Sequence, residues 1–246
     1  MICYLSTHFL PDHARAEELT GSAAVVIDVL RATTTMVRAL SEGAAEIIPC
    51  AEIDAAREVA NRLPPASTLL GGERGGSPID GFDLGNSPLD YTRERVGDKA
   101  VVMTTTNGTR ALLHARPADR ILIAAFSNLE AVVSALRGEM RSIHILCAGS
   151  EGELSLEDLL LAGAIASGLS ASREDIRLSE ETLLAKTLFE GSGRLESDRI
   201  DLFRNARGGR TLLQLGLEAD IAWAARADTS RLVPEFHSNR VTAVSE

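Results

Sequence analysis

The chain has 246 residues, 45% of them hydrophobic and 24% charged, enough to bury a substantial core in one domain or two. Its formal net charge of −10 argues against nucleic acid or an anionic membrane as partner, since both select an excess of basic surface. No apolar run is long enough to span a bilayer, and the opening MICYLSTHFLPDHARAEEL has neither a basic start nor a cleavage-site pattern, so a cytoplasmic protein is expected.

In chain order, short runs rich in Val and Ile predict strands at 23–29, 45–49, 99–104, 119–125 and 142–147, with a weaker one at 67–72. Helical spacing of Ala, Leu and Val falls between them at 34–42, 52–63, 107–115 and 127–137. That alternation points to βαβ units and an α/β fold with a largely parallel sheet covered by helices on both faces. TTTMVRAL at 33–40 is echoed by TTTNGTRAL at 104–112, and AAEIIPCAEIDAA by ADRILIAAFSNLEAV, which suggests a duplicated βαβα unit with sub-repeats 23–63 and 99–138. Residues 72–92 carry Gly and Pro without a period and read as a long loop. Residues 153–226 read as mainly helical, and the end, RLVPEFHSNRVTAV, as a β-hairpin turning at His237–Asn239. The chain is read as one unit over 1–246. The three cysteines are far apart, and Cys50 and Cys147, at the ends of apolar runs, read as buried thiols.

Four segments carry chemistry. In VVIDVLRATTT (25–35), Asp28 ends a buried strand and is followed by Arg31 and by threonines that include Thr34. Ligands in open α/β sheets bind beyond the carboxyl ends of strands, and a carboxylate buried there needs a metal or a cation; an Asp28–Arg31 pair that only shapes the turn would also satisfy it. In VVMTTTNGTRAL (101–112), Thr104, Thr105, Thr106, Asn107, Gly108 and Arg110 lead from a strand into a helix, where free N–H groups, hydroxyls and a guanidinium can cradle an anion; ordinary N-capping is the alternative. GGERGG and GFDLGNSP place Glu73, Arg74, Asp80, Asp83, Asn86 and Ser87 in a glycine-rich stretch, a source of oxygen ligands for a hard cation or a solvated turn. In CAGSEGELSLEDLLLAG (147–163), Ser155 is a natural N-cap with Asp158 at the capping-box position, and Glu157 and Asp158 suit the first helical turn; the functional reading turns Asp158 into the site as a metal ligand.

Several phosphate chemistries are absent from the sequence. There is no GxxxxGK[ST], no cysteine followed by arginine at a phosphatase-loop spacing, and Leu30 stands where a second aspartate would follow Asp28. The five histidines show no metal-ligand spacing. Metal-assisted hydrolysis with carboxylate ligands is the phosphatase chemistry that remains.

Taken together, VVIDVLRATTT, LLGGERGG, GFDLGNSP, TTTNGTRAL and CAGxxGxxSLEDLLLAG, in this order, resemble the 2-phosphosulfolactate phosphatase family over roughly residues 20–165, with a looser likeness through LVPEF. The resemblance implies a mixed sheet between helices and an Mg²⁺-dependent hydrolase that converts 2-phospho-3-sulfolactate to 3-sulfolactate and phosphate, a step toward coenzyme M. On that basis Mg²⁺ is expected on Asp28, Glu73 and Asp158, with Arg31 as a further catalytic residue. Arg74, Arg110, Thr34 and the Thr104–Gly108 turn would hold phosphate, carboxylate and sulfonate. Attack by the Asp28 carboxylate is the rival mechanism. A broader phosphatase for 2-phospho-carboxylates and a non-catalytic sensor of small anions are the competing functions, and the apolar C-terminal helices could cover the sheet or join two copies as a homodimer.

Overall fold

The computed structural model describes residues 2–243. Eleven strands form one sheet: β1 Cys3–His8, β2 Ala23–Ile27, β3 Glu46–Pro49, β4 Thr68–Arg74, β5 Ser77–Pro78, β6 Ala100–Thr104, β7 Arg120–Ala124, β8 Ile143–Cys147, β9 Ile176–Leu178, β10 Pro234–His237 and β11 Arg240–Ala243. Eleven α-helices accompany them: α1 Ala16–Leu19, α2 Ala32–Ser41, α3 Ile53–Asn61, α4 Arg93–Val96, α5 Gly108–His114, α6 Leu129–Leu136, α7 Leu156–Ser172, α8 Glu180–Ser192, α9 Glu196–Asn205, α10 Arg207–Gln214 and α11 Glu218–Ala224.

The strand order is β5-β4-β6-β3-β11-β10-β7-β2-β8-β1-β9. One wing, β4-β6-β3, is parallel within itself, and so is the other, β7-β2-β8-β1-β9. Between them the hairpin β10–β11 pairs antiparallel with β7 on one side and β3 on the other. The fold is therefore α/β with a mixed, largely parallel sheet. The hairpin turn has Ser238 at φ 50° and Asn239 at φ 62°, the left-handed pair that a tight two-residue hairpin requires. Strands β2 (AAVVI) and β8 (IHILC) are buried on both faces, as central parallel strands are, and their apolar runs are continuous for that reason.

Residues 23–63 form β2-α2-β3-α3, and residues 99–138 form β6-α5-β7-α6, the same order of elements. Helices α2 and α5 lie in a common core with β2, β3, β6, β7 and the hairpin. On the opposite face, α6 and α7 cover β1, β2 and β8, and α3 covers β3 and β6 in a smaller cluster. Strands β2 and β6 stand five places apart in the order, yet Gly108, just past β6, lies against Asp28, just past β2. The sheet is therefore curled, with α2 and α5 in its concavity and the carboxyl ends of β2 and β6 brought together.

Two expectations about local structure change. The strand expected at 67–72 runs on to Arg74 and turns back through Gly75 (φ 58°) and Gly76 (φ 84°) into β5, so the start of the expected loop 72–92 is a hairpin. The segment 153–226 is helical except for β9, which adds a short parallel edge beside β1. Cys50 and Cys147 are buried free thiols, as expected, and Cys3 is a third. Among the described residues no helix is long and apolar enough to cross a membrane.

Candidate active site

A cavity of about 100 Å³ opens where β2 and β6 end. Asp28 and Arg31 enter it from the β2–α2 turn, Thr106 and Asn107 from the β6–α5 turn, Glu73, Gly75 and Gly76 from the β4–β5 hairpin, and Asn86 from the stretch before α4. Ser150 and Glu151, after β8, form another wall, and Arg207, Gly208 and Thr211 of α10 close it. The peptide bond between Leu30 and Arg31 is cis.

Asp28 sits at the N-termini of α2 and α5. Its Oδ1 accepts the Ala32 N–H at 3.2 Å, and a Cβ on Gly108 would stand 2.6 Å from its Oδ2, so only glycine lets α5 approach this closely. Burial pushes the Asp28 carboxyl up to about 7, helped by the neighbouring Glu73, against the pull of the Ala32 N–H, Arg31 and the Gly108 amide. Glu73 is held by three donors: its Oε1 accepts the Thr106 N–H (2.7 Å), and its Oε2 accepts the Gly76 N–H (2.7 Å) and the Thr106 hydroxyl (3.2 Å). This one side chain fixes the β4–β5 hairpin to the β6–α5 turn.

The two guanidiniums of the cavity already have carboxylate partners. Arg31 donates to Asp220 Oδ2 of α11 (2.8 Å) and to the Gly76 carbonyl (2.7 Å), and Ser87 donates to the other Asp220 oxygen (2.6 Å). Arg207 pairs with Glu153 at 2.9 Å and Glu151 at 3.5 Å. By contrast, neither Asp28 nor Glu73 forms an ion pair among the described residues. Asn86 Oδ1, buried in the same wall, has no hydrogen-bond partner among the described residues. The oxygens that could hold a hard cation here are thus those of Asp28 and Glu73, each with lone pairs to spare, and Asn86 Oδ1.

The three-carboxylate set expected for the metal is not assembled. Among the described residues no three Asp, Glu, His or Cys side chains stand together as a metal cluster. Asp158 is the member that departs: its Oδ1 accepts the Val29 N–H at 2.8 Å and its Oδ2 the Gly149 N–H at 3.1 Å, tying the ends of β2 and β8 together behind the cavity. Burial raises its carboxyl well above the ordinary range, with Asp28 and Glu157 adding to the shift. For the same reason the expected capping box is missing: Ser155 occupies the N-cap of α7, but its side chain makes no capping bond. Glu157, rather than Asp158, reaches toward α10; a Cβ on Gly208 would lie 2.7 Å from its Oε1. Its Oε2 is buried without a partner among the described residues, and burial, then Asp28, push the carboxyl up to about 7.

The other expected site residues divide. Thr106 and Asn107 line the cavity and Gly108 packs on Asp28. Thr104 instead accepts from Arg74 and donates to the Ala51 carbonyl, and Arg74 donates to the Glu73 and Ala51 carbonyls, so both brace the β3–α3 connection. Thr105 exchanges bonds with Thr109 at the start of α5, and the Thr34 hydroxyl donates to the Val29 carbonyl. Arg110 is exposed and faces an adjoining cavity. Asp80 and Asp83 do not line the site; Asp83 accepts the Leu70 N–H. Sequence reasoning missed Ser150, Glu151, Asp220 and the Arg207–Gly208 turn. The available signal for the last was RGGR, a glycine pair opening a helix that its propensity disfavours.

A curled α/β sheet with a small polar cavity at its strand ends, walled by three helix N-termini and a glycine-turn hairpin, defines an α/β enzyme with a buried carboxylate centre. The sequence model described as 2-phosphosulpholactate phosphatase matches residues 8–239. A protein of Symbiobacterium thermophilum named "Probable 2-phosphosulfolactate phosphatase" is 40% identical over 226 residues, 92% of this chain and 96% of that one. Proteins of the same name from Clostridium perfringens (39% over 235 residues, 95% and 93%) and Deinococcus radiodurans (43% over 213 residues, 86% and 86%) are similar to it as well. The chain belongs to the 2-phosphosulpholactate phosphatase family, and with it to the phosphoric monoester hydrolases.

Proposed function

We propose that this chain hydrolyses 2-phospho-3-sulfolactate to 3-sulfolactate and phosphate in the cavity between β2 and β6, with Mg²⁺ held by Asp28 and Glu73. The observation that carries this reading is the charge balance of the wall. Among the described residues Asp28 and Glu73 form no ion pair, while Arg31 and Arg207 are already paired with carboxylates. A substrate with phosphate, sulfonate and carboxylate groups would be repelled from such a wall unless a cation came with it. Two carboxylates and the free Asn86 Oδ1 suit magnesium, which takes oxygen ligands and keeps several waters. The relatives' printed names support the substrate.

When bound, magnesium supplies positive charge at the phosphoryl oxygens and acidifies water. The chain's own groups do the rest. Asp28, held up to about 7 without a cation, is a full carboxylate once one is present. Arg207 and Gly208, on the first turn of α10, line the cavity, and first-turn N–H groups, which a helix leaves without an internal acceptor, favour an anionic oxygen. Glu73 keeps the hairpin and the Thr106 turn in register, so the phosphoryl group meets a fixed wall.

The test is phosphate release from 2-phospho-3-sulfolactate, 2-phospholactate and an aryl phosphate, each with Mg²⁺ and with a chelator. Turnover that needs Mg²⁺ and favours the sulfonated ester is the expected result. Equal turnover of all three would remove the named substrate, and turnover untouched by the chelator would remove the metal.

A further inference from the structure

Beside the cavity just described lies a larger one, of about 390 Å³. The two abut along two segments. Thr106 and Asn107 line both, and after β8 the chain puts Ser150 and Glu151 on the inner side but Ala148 and Gly152 on the outer side. A ligand seated in the inner cavity thus has the outer one as its nearest extension, reached between the β6–α5 turn and the β8–α7 connection.

The chambers differ in charge. In the inner chamber each guanidinium has a carboxylate partner. The outer chamber contains Arg110, on the first turn of α5 four residues past Thr106, and among the described residues its guanidinium makes neither an ion pair nor a side-chain hydrogen bond. The other titratable groups there are Asp12, whose side chain is 93% exposed and turned to solvent, and His114, whose Nε2 is 2.8 Å from the Ala14 carbonyl. Leu10, Pro11, Ala51, Leu113 and Ala148 supply the apolar part of the wall, so Arg110 is its one unpaired cation among the described residues. The inner chamber, of about 100 Å³, is the smaller of the two, and an ester whose phosphoryl group lies there can extend past Thr106 and Asn107 into the outer one.

We propose that the outer chamber is the specificity subsite: Arg110 binds the sulfonate end of the ester while the phosphoryl group occupies the inner chamber. This rests on the function proposed above and names the residue that makes it selective. Arg110 need not touch the reacting atoms. Its guanidinium matches two sulfonate oxygens with parallel N–H donors, an arrangement that a lone ammonium cannot reproduce.

The test compares wild type, Arg110→Ala and Arg110→Lys on 2-phospho-3-sulfolactate and 2-phospholactate, with calorimetry of 3-sulfolactate binding to each. Arg110→Ala should lower the kcat/KM ratio between sulfonated and unsulfonated ester by roughly tenfold or more, chiefly through KM, and weaken 3-sulfolactate binding by a similar factor. Arg110→Lys should restore part of both. An equal loss on the two esters, or no loss on either, overturns the subsite. Should wild type hydrolyse neither ester, the proposed function fails. The calorimetry then decides the subsite alone: binding lost in Arg110→Ala upholds it, and binding that is unchanged, or absent from wild type, overturns it.

Discussion

Replacing Asp220 with alanine removes a carboxylate that is 1% exposed from a guanidinium, Arg31, that is 4% exposed. The N–O distance is 2.8 Å, the same as in the Arg15–Glu18 pair, whose side chains are 74% and 36% exposed. Geometry alone would rank the two equal; burial separates them. Without Asp220 the Arg31 charge keeps only the Gly76 carbonyl, and Ser87 loses its acceptor. An uncompensated buried charge of this kind costs about 3–5 kcal/mol. For a chain of this size that is roughly 6–20 °C in Tm, read by calorimetry or by urea denaturation. Glu18→Ala, handled in parallel, should move the midpoint little, because solvent already screens that pair. Arg31→Met combined with Asp220→Ala should recover part of the loss, since the stranded charge is gone. A midpoint shift for Asp220→Ala no larger than that for Glu18→Ala would refute the reasoning, and so would a double variant as unstable as the sum of its parts.

Gly108→Ala would place a methyl 2.4 Å from the Ala32 Cβ and 2.6 Å from Asp28 Oδ2; it should cost about 1–3 kcal/mol by denaturation and lower kcat by displacing the carboxylate. Asp158→Asn turns one of its two accepting oxygens into a donor facing the Val29 or Gly149 N–H. It should destabilise by about 1–3 kcal/mol in the same assay while calorimetric Mg²⁺ affinity stays within about threefold, a division that a metal-ligand role for Asp158 would not give. Burial raises the folded-state carboxyls of both Asp28 and Glu157 to about 7, so the stability they confer is present at low pH and is lost as pH rises from the ordinary carboxylate range through 7. Thermal melts without metal should therefore fall across that window, and the rise in Tm on adding Mg²⁺ should be larger at about pH 8 than at about pH 6.

Much of the fold could be read from local pattern. The strands around Val25, Ile47, Val101, Ile121 and Ile145 are apolar runs, and the sheet buries them on both faces, so composition and position agree. Strand β1, CYLSTH, was not legible. Only alternate residues, Cys3, Leu5 and Thr7, are buried, and the intervening polar ones hide it. The place of the C-terminal hairpin was not legible either. Its turn is a local matter of Ser238 and Asn239, but its insertion between β3 and β7 is a long-range pairing that no local signal encodes. The site divides the same way. Asp28 announced itself as a carboxylate at a strand end and Glu73 as one in a glycine-rich stretch, whereas the destination of Asp158 depends on which amides, Val29 and Gly149, the fold brings to it. Asp220 lies in the mainly helical segment with no local motif to mark it, and only the tertiary fold places it on Arg31.

The central claim is that Asp28 belongs to the catalytic centre, and Asp28→Asn tests it most directly. Steady-state phosphate release from 2-phospho-3-sulfolactate at saturating Mg²⁺ would be compared with wild type, alongside a thermal melt of each protein. The prediction is a fall in kcat of about 10²–10³-fold or more with the melt preserved, because the side chain keeps its size and its bond to the Ala32 N–H but loses its charge. A well-folded variant that kept kcat within about tenfold of wild type would contradict the assignment and place the chemistry elsewhere.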